Sequence, residues 1–101
     1  MSALADWLDR HTAEAPSALR ERVREQALEV PTTEPVQAAL AQAGREALDR
    51  VTSHPGDRSV ALDLLAADAL ITLALLAQAE RSPGELSAFA TSILQHVRRD
   101  A

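Results

Sequence analysis

The chain has 101 residues, of which 47% are apolar and 2% aromatic, and alanine (21) and leucine (15) supply most of the apolar content. These two residues are strong helix formers, so the composition excludes an aromatic-rich β-sandwich or barrel and is too apolar for a disordered tail. The net charge of −5, with ten arginines and no lysine, argues against binding to nucleic acid, which requires clustered positive charge.

Proline and glycine divide the chain into five predicted helices. The first four are separated by segments around Pro16, Pro31 and a His-Pro-Gly-Asp turn at 54–57. Thr32 or Thr33 is a candidate cap for the third helix. The predicted helices cover, in chain order, residues 3–11, 16–29, 34–52, 58–81 and 83–99. Short connections favour antiparallel neighbours, so we expect one all-α, up-and-down helical bundle formed by the whole chain.

Two local signals within these helices predict specific geometry. Gly44 lies inside the third helix, where glycine costs about 1 kcal/mol relative to alanine, and a close helix crossing would explain it. Before the fifth helix, Ser82, Pro83 and Glu85 have the spacing of a capping box, with Ser82 as the N-cap.

The fourth predicted helix is apolar on all sides. One side is rich in leucine, and the opposite side carries leucines and several alanines. A helix of this kind is buried all round, so it is either the central helix of one chain or forms a subunit interface with its second face. The alanine-lined side would permit a close approach, which favours self-association.

Asp68 lies in the middle of the leucine-rich side, with Thr72 one turn further on. A buried, unpaired carboxylate would cost several kcal/mol, so Asp68 needs a partner, a water-filled pocket or a proton. We expect an ion pair inside the bundle with Arg45 or Arg50. The alternatives are a polar residue that sets the register at a dimer interface, and a ligand-binding or catalytic acid. Asp63, near the edge of the other side, is expected to be solvated.

Several kinds of site are not expected. The chain has no cysteine, and its histidines at 11, 54 and 96 are too far apart in sequence to suggest a metal site. No glycine-rich phosphate loop, nucleophile elbow or paired Glu-x-x-His motif is present. The sequence therefore predicts no metal and no cofactor, and names no catalytic residue.

These observations lead to one hypothesis and two alternatives. We expect a small, cytoplasmic, bacterial protein without catalytic activity that acts as an accessory or scaffold module, as a homodimer with a possible protein partner. No secretory signal is recognisable, and no run of 18 uncharged apolar residues occurs, so we expect no membrane interaction. One alternative is a small-molecule-binding or minor enzymatic bundle with Asp68 as a buried acid and Thr72 beside it. The other is a helix-turn-helix regulator, which the acidic charge disfavours.

Overall fold

The structure, a computed structural model, describes residues 3–29, 34–53 and 58–99. The described residues form five α-helices and one 3₁₀ turn, and they contain no strand. The predicted all-α bundle is confirmed. The helices are α1 (Ala3–His11), α2 (Ser17–Glu29), α3 (Val36–Ser53), α4 (Arg58–Arg81) and α5 (Leu86–Arg99), with the 3₁₀ turn at Pro83–Glu85 before α5.

The packing of α3 against α4 is the most extensive helix contact in the fold. At its centre lies Gly44, which is buried. A Cβ atom on Gly44 would lie 2.8 Å from Ile71 Cγ1, 3.3 Å from the Ile71 backbone nitrogen and 3.4 Å from Leu70 Cβ. Any larger residue would therefore require Ile71 or one of the two helices to shift. The predicted close crossing is therefore confirmed, and it explains why a helix interior tolerates glycine.

The first two helices complete the core beside this pair. Trp7 and Leu8 of α1 are buried, as are Val23 and Ala27 of α2. The spacing of Leu19, Val23, Ala27 and Val30 in the sequence predicts one apolar stripe along this helix. Val23 and Ala27 confirm it, and Val30 lies outside the described residues. The predicted turn at 54–57, the threonine caps at 32 and 33, and the side chain of His96 also lie outside them.

The segment before α5 departs from the predicted capping box. Ser82 makes no side-chain hydrogen bond to the backbone at the start of the helix. Its hydroxyl instead donates to the Glu85 carboxylate, with Oγ and Oε2 3.1 Å apart, and the Glu85 N–H donates to the Ser82 carbonyl at 3.0 Å. The backbone bond closes a 3₁₀ turn. In a capping box the side chains of Ser82 and Glu85 would each bond to a backbone N–H, whereas here they bond to each other.

Candidate functional site

The two sides of α4 differ sharply in exposure. The side that packs inside the bundle is lined mainly by alanine, and its buried apolar residues are Ala66, Ala67, Leu70, Ala74 and Ala77. The other side carries the exposed residues Ala61, Leu64, Leu65, Asp68, Thr72 and Leu76. We call this second set the leucine face. Burial of α4 is therefore partial and one-sided in the single chain, and the alanine side forms contacts within the chain instead of between chains.

Asp68 and Thr72, the two residues singled out by sequence, are both exposed on the leucine face. The expected ion pair of Asp68 inside the bundle, with Arg45 or Arg50, is wrong for the single chain, because Asp68 is not buried. Arg50 instead ion-pairs with Glu29 of α2, with Nη1 3.9 Å from Oε2. The physical reason is the rotation of α4: the Gly44 crossing selects the alanine side as the inner one and turns Asp68 towards solvent.

Asp63 has the role that was expected of Asp68. Its side chain is only 19% exposed, and it ion-pairs with Arg22 of α2, with Oδ1 and Nη1 3.1 Å apart. The amide Nε2 of Gln26, a buried residue, donates to the same Oδ1 at 3.3 Å. The expectation that Asp63 is solvated is therefore wrong, since the rotation that exposes Asp68 brings Asp63 against α2.

An apolar groove adjoins the leucine face on the side of α5. Its volume is about 310 Å³, and its lining is entirely apolar: Leu48, Ile71, Leu75, Ala90, Ile93 and Leu94. Leu94, on the far wall of this groove, is exposed, as are Leu64, Leu65 and Leu76 of the leucine face. Neither Asp68 nor Thr72 lines the groove, so this cavity does not supply the acid-containing pocket that the small-molecule alternative requires.

A polar cluster fastens α1 to the carboxyl end of α4. The Trp7 indole N–H donates to Glu80 Oε1 at 3.1 Å, and His11 Nε2 lies 3.2 Å from Glu80 Oε2. The Trp7 and His11 rings stack with centroids 3.9 Å apart. His11 Nδ1 lies 2.8 Å from the Trp7 carbonyl oxygen, so both ring nitrogens of His11 face oxygen atoms.

The same cluster controls the ionisation of Glu80. The Trp7 hydrogen bond, and then the His11 contact, hold the pKa of Glu80 below its ordinary value of 4.5. Both contacts stabilise the carboxylate form. The helical spacing of Trp7 and His11 places them on one side of the first predicted helix, but it does not indicate their contact with Glu80, because no local pattern joins residues 69 and 73 positions apart.

Two further findings concern other classes of site. By length and composition alone, α4 is long and apolar enough over Val60–Arg81 to cross a membrane, a property that core helices of soluble proteins share. Within the described residues, no three histidine, aspartate or glutamate side chains are grouped closely enough to hold a metal ion.

Comparison with known proteins adds no further information on function. No protein-family model matches the chain, and neither a curated protein nor a solved structure matches it significantly.

Proposed function

We propose that this protein is a small, non-catalytic helical-bundle module that acts by self-association through the leucine face of α4. One observation carries the proposal: three leucines of α4 and Leu94 of α5 are exposed beside an apolar groove in a 101-residue chain. Apolar patches that extend over several turns are uncommon on soluble monomers and are typical of interaction sites. A homodimer would cover this surface, and an accessory or scaffold role in protein binding would follow from it.

The size of the surface suits a dimer. The leucine face together with Ala79 runs from residue 61 to residue 79, and these 18 steps of 1.5 Å make roughly 27 Å of helix. With α5 alongside, its width is about 20 Å, the width of two packed helices. Each copy would then bury on the order of 500 Å², and the total of roughly 1,000 Å² reaches the lower limit for a specific protein interface.

The amino-acid content of the surface supports protein contact over catalysis. Asp68 is the single charged residue of the leucine face, which contains no histidine and no second acid. General acid–base chemistry or metal binding needs several such groups within hydrogen-bonding or ligand distance. A lone polar pair, Asp68 with Thr72, is instead the arrangement by which helical interfaces define one pairing over others.

The test is the molar mass in solution, measured by light scattering or sedimentation equilibrium over a hundredfold concentration range. The unmodified protein should have twice the 10.8 kDa mass of one chain at the upper concentrations. Leu65→Glu and Leu76→Glu should each raise the dissociation constant by at least about tenfold, because a carboxylate would be buried among leucines.

Leu28→Glu is the matched control. Leu28 lies on α2 and is 42% exposed, the same fraction as Leu76, but it is not part of the leucine face. This variant should dimerise like the unmodified protein. A single-chain mass at every concentration would refute the proposal, and equal weakening by the Leu28 and Leu76 variants would refute the location of the interface.

A further inference from the structure

We infer that the dimer pairs the two α4 helices in antiparallel orientation, in a single register whose two-fold axis passes beside residue 70. The inference rests on the proposed self-association and adds the orientation, the register and the residues that specify them. In this arrangement the carboxylate of Asp68 accepts a hydrogen bond from the hydroxyl of the second copy's Thr72, and the symmetric bond forms on the other side of the axis.

Four residues of the leucine face, continued by Leu75 and Ala79, have the spacing of a coiled coil. Alternate steps of four and three residues lead along α4 through a stripe of exposed and half-exposed positions, namely Ala61, Leu65, Asp68, Thr72, Leu75 and Ala79. These are the a and d positions of a heptad repeat, the pattern by which helices pair along a narrow seam. Leu75 also lines the apolar groove, so the seam and the groove form one surface.

This stripe is symmetric about residue 70. In an antiparallel pair with its axis at that height, each residue faces the position equally far on the other side. Leu65 then faces Leu75 of the second copy, and Ala61 faces Ala79. Asp68 faces Thr72, so the only charged residue of the stripe meets its only hydroxyl. A two-fold interface requires one surface to complement itself, and this stripe does so at all six positions.

Charge disfavours the parallel arrangement. Parallel pairing places equivalent positions side by side, so Asp68 would face Asp68 across a leucine-rich seam, where like charges are poorly screened. Antiparallel pairing separates the two carboxylates by four residues, about 6 Å along the axis. It also gives each of them a hydroxyl donor, and hydrogen bonds to charged groups are the stronger kind.

The same polar pair fixes the register. A slip of one heptad in the antiparallel pair would place Asp68 against Leu65 or Ala79 of the second copy. The carboxylate would then be desolvated without a donor, which costs several kcal/mol. A single polar position in an otherwise apolar seam is known to select register in this way.

Because the chain contains no cysteine, disulfide formation between introduced cysteines reports the relative orientation of the two α4 helices. Leu65→Cys and Leu75→Cys variants are prepared separately, then oxidised alone and as a mixture, and the products are separated by non-reducing electrophoresis. In the inferred register the two different thiols are opposite each other. Two copies of the same variant have thiols about 15 Å apart, which exceeds the Cα separation that a disulfide allows.

The mixture should therefore form at least about tenfold more covalent dimer than either variant alone. Efficient cross-linking of each variant with itself would overturn the inference and establish parallel pairing, while self-association would stand. No cross-link in a protein of dimeric mass would also overturn it, by placing the interface elsewhere. A single-chain mass is the separate result that refutes the proposed function.

A second pair of variants tests the role of Asp68. With Leu65→Cys in place, Asp68→Leu removes the polar pair, so cross-linking of that chain with itself should rise by about tenfold. The control exchanges the two residues, Asp68→Thr with Thr72→Asp, which keeps each carboxylate opposite a hydroxyl. The exchanged chain should cross-link with itself as little as the Leu65→Cys variant does. Unchanged self-cross-linking after Asp68→Leu would show that Asp68 does not set the orientation.

Discussion

The two sides of α4 are both apolar, yet one is packed against the rest of the chain and the other faces solvent. The inner side is lined by alanines and approaches α3 at Gly44, where Leu70 Cβ lies 3.4 Å from the position that a glycine Cβ would occupy. The outer side carries larger leucines, with Leu65 56% exposed. Hydrophobicity alone therefore does not decide which side of this helix is inside.

Side-chain size accounts for the difference. Small residues let two helix backbones approach closely, so many atoms of both helices come into van der Waals contact. Leucines on that side would hold α3 and α4 further apart and would open the crossing at Gly44. The leucines remain on the side where no helix of the same chain has to fit closely, and there they are available to a second molecule.

The largest expected effect comes from a matched pair of substitutions, one on each side of α4. Leu70→Ala removes a fully buried side chain from the α3–α4 contact and should lower the free energy of unfolding by about 2–5 kcal/mol. Leu65→Ala, on the exposed side of the same helix, should change it by less than about 0.5 kcal/mol. Urea unfolding provides both values, at a concentration where the molar mass is that of one chain. Equal losses for the two variants would contradict the assignment of the inner side.

A smaller change in stability tests how closely α3 and α4 pack at Gly44. Gly44→Ala gains helix propensity but places a methyl group within 2.8 Å of Ile71, so we expect a net loss of about 1 kcal/mol from overpacking. Gly84→Ala is the control, because nothing lies within 4 Å of its Cβ position and its φ is outside the left-handed region. That variant should gain about 0.4–1 kcal/mol, since alanine restricts the unfolded chain. A stabilising Gly44→Ala would mean that the crossing is not tight.

The smallest effect concerns Glu80, which lies near the carboxyl end of α4. Because its pKa is lowered in the folded protein, its contribution to stability is present above pH 4.5 and is lost as pH falls through the lower, folded value. Unmodified protein should therefore be more stable than Glu80→Gln at pH 7, and the difference between them should be smaller at about pH 3. Urea midpoints at the two pH values measure this, and a constant difference would contradict the role of the charge.

Much of the fold follows from local sequence signals. Proline and glycine gave the limits of α1 and α4 as the structure has them, and the glycine within α3 correctly predicted a close crossing. Ser82 and Glu85 marked the start of the last helical segment, although they bond to each other and the first turn is 3₁₀. The helix limits and the segment before α5 depend on residues near one another in the chain, where steric and hydrogen-bonding rules act directly. Gly44 indicated a close crossing but not the helix that it meets.

The orientation of α4 could not be predicted in the same way. A helix that is apolar on every side has no polar face to mark the outside, so its rotation depends on which neighbour can approach most closely. That rotation reversed the expected roles of the two acids: Asp63 is paired with Arg22, and Asp68 is exposed. The Glu80 cluster was missed for a related reason, since Trp7 and Glu80 meet only when α1 is docked on α4.

The groove between α4 and α5 bears on how easily α5 unfolds locally. Within the described part of α5, Ile93 is the only buried side chain, and Phe89 packs against the core only in part. The packing of α5 against the bundle therefore buries little apolar surface. Its backbone amides can exchange with solvent when α5 alone unfolds locally, while the α3–α4 pair stays intact. In the proposed dimer the neighbouring molecule would lie beside Leu94, and local unfolding of α5 would become rarer as the protein concentration rises.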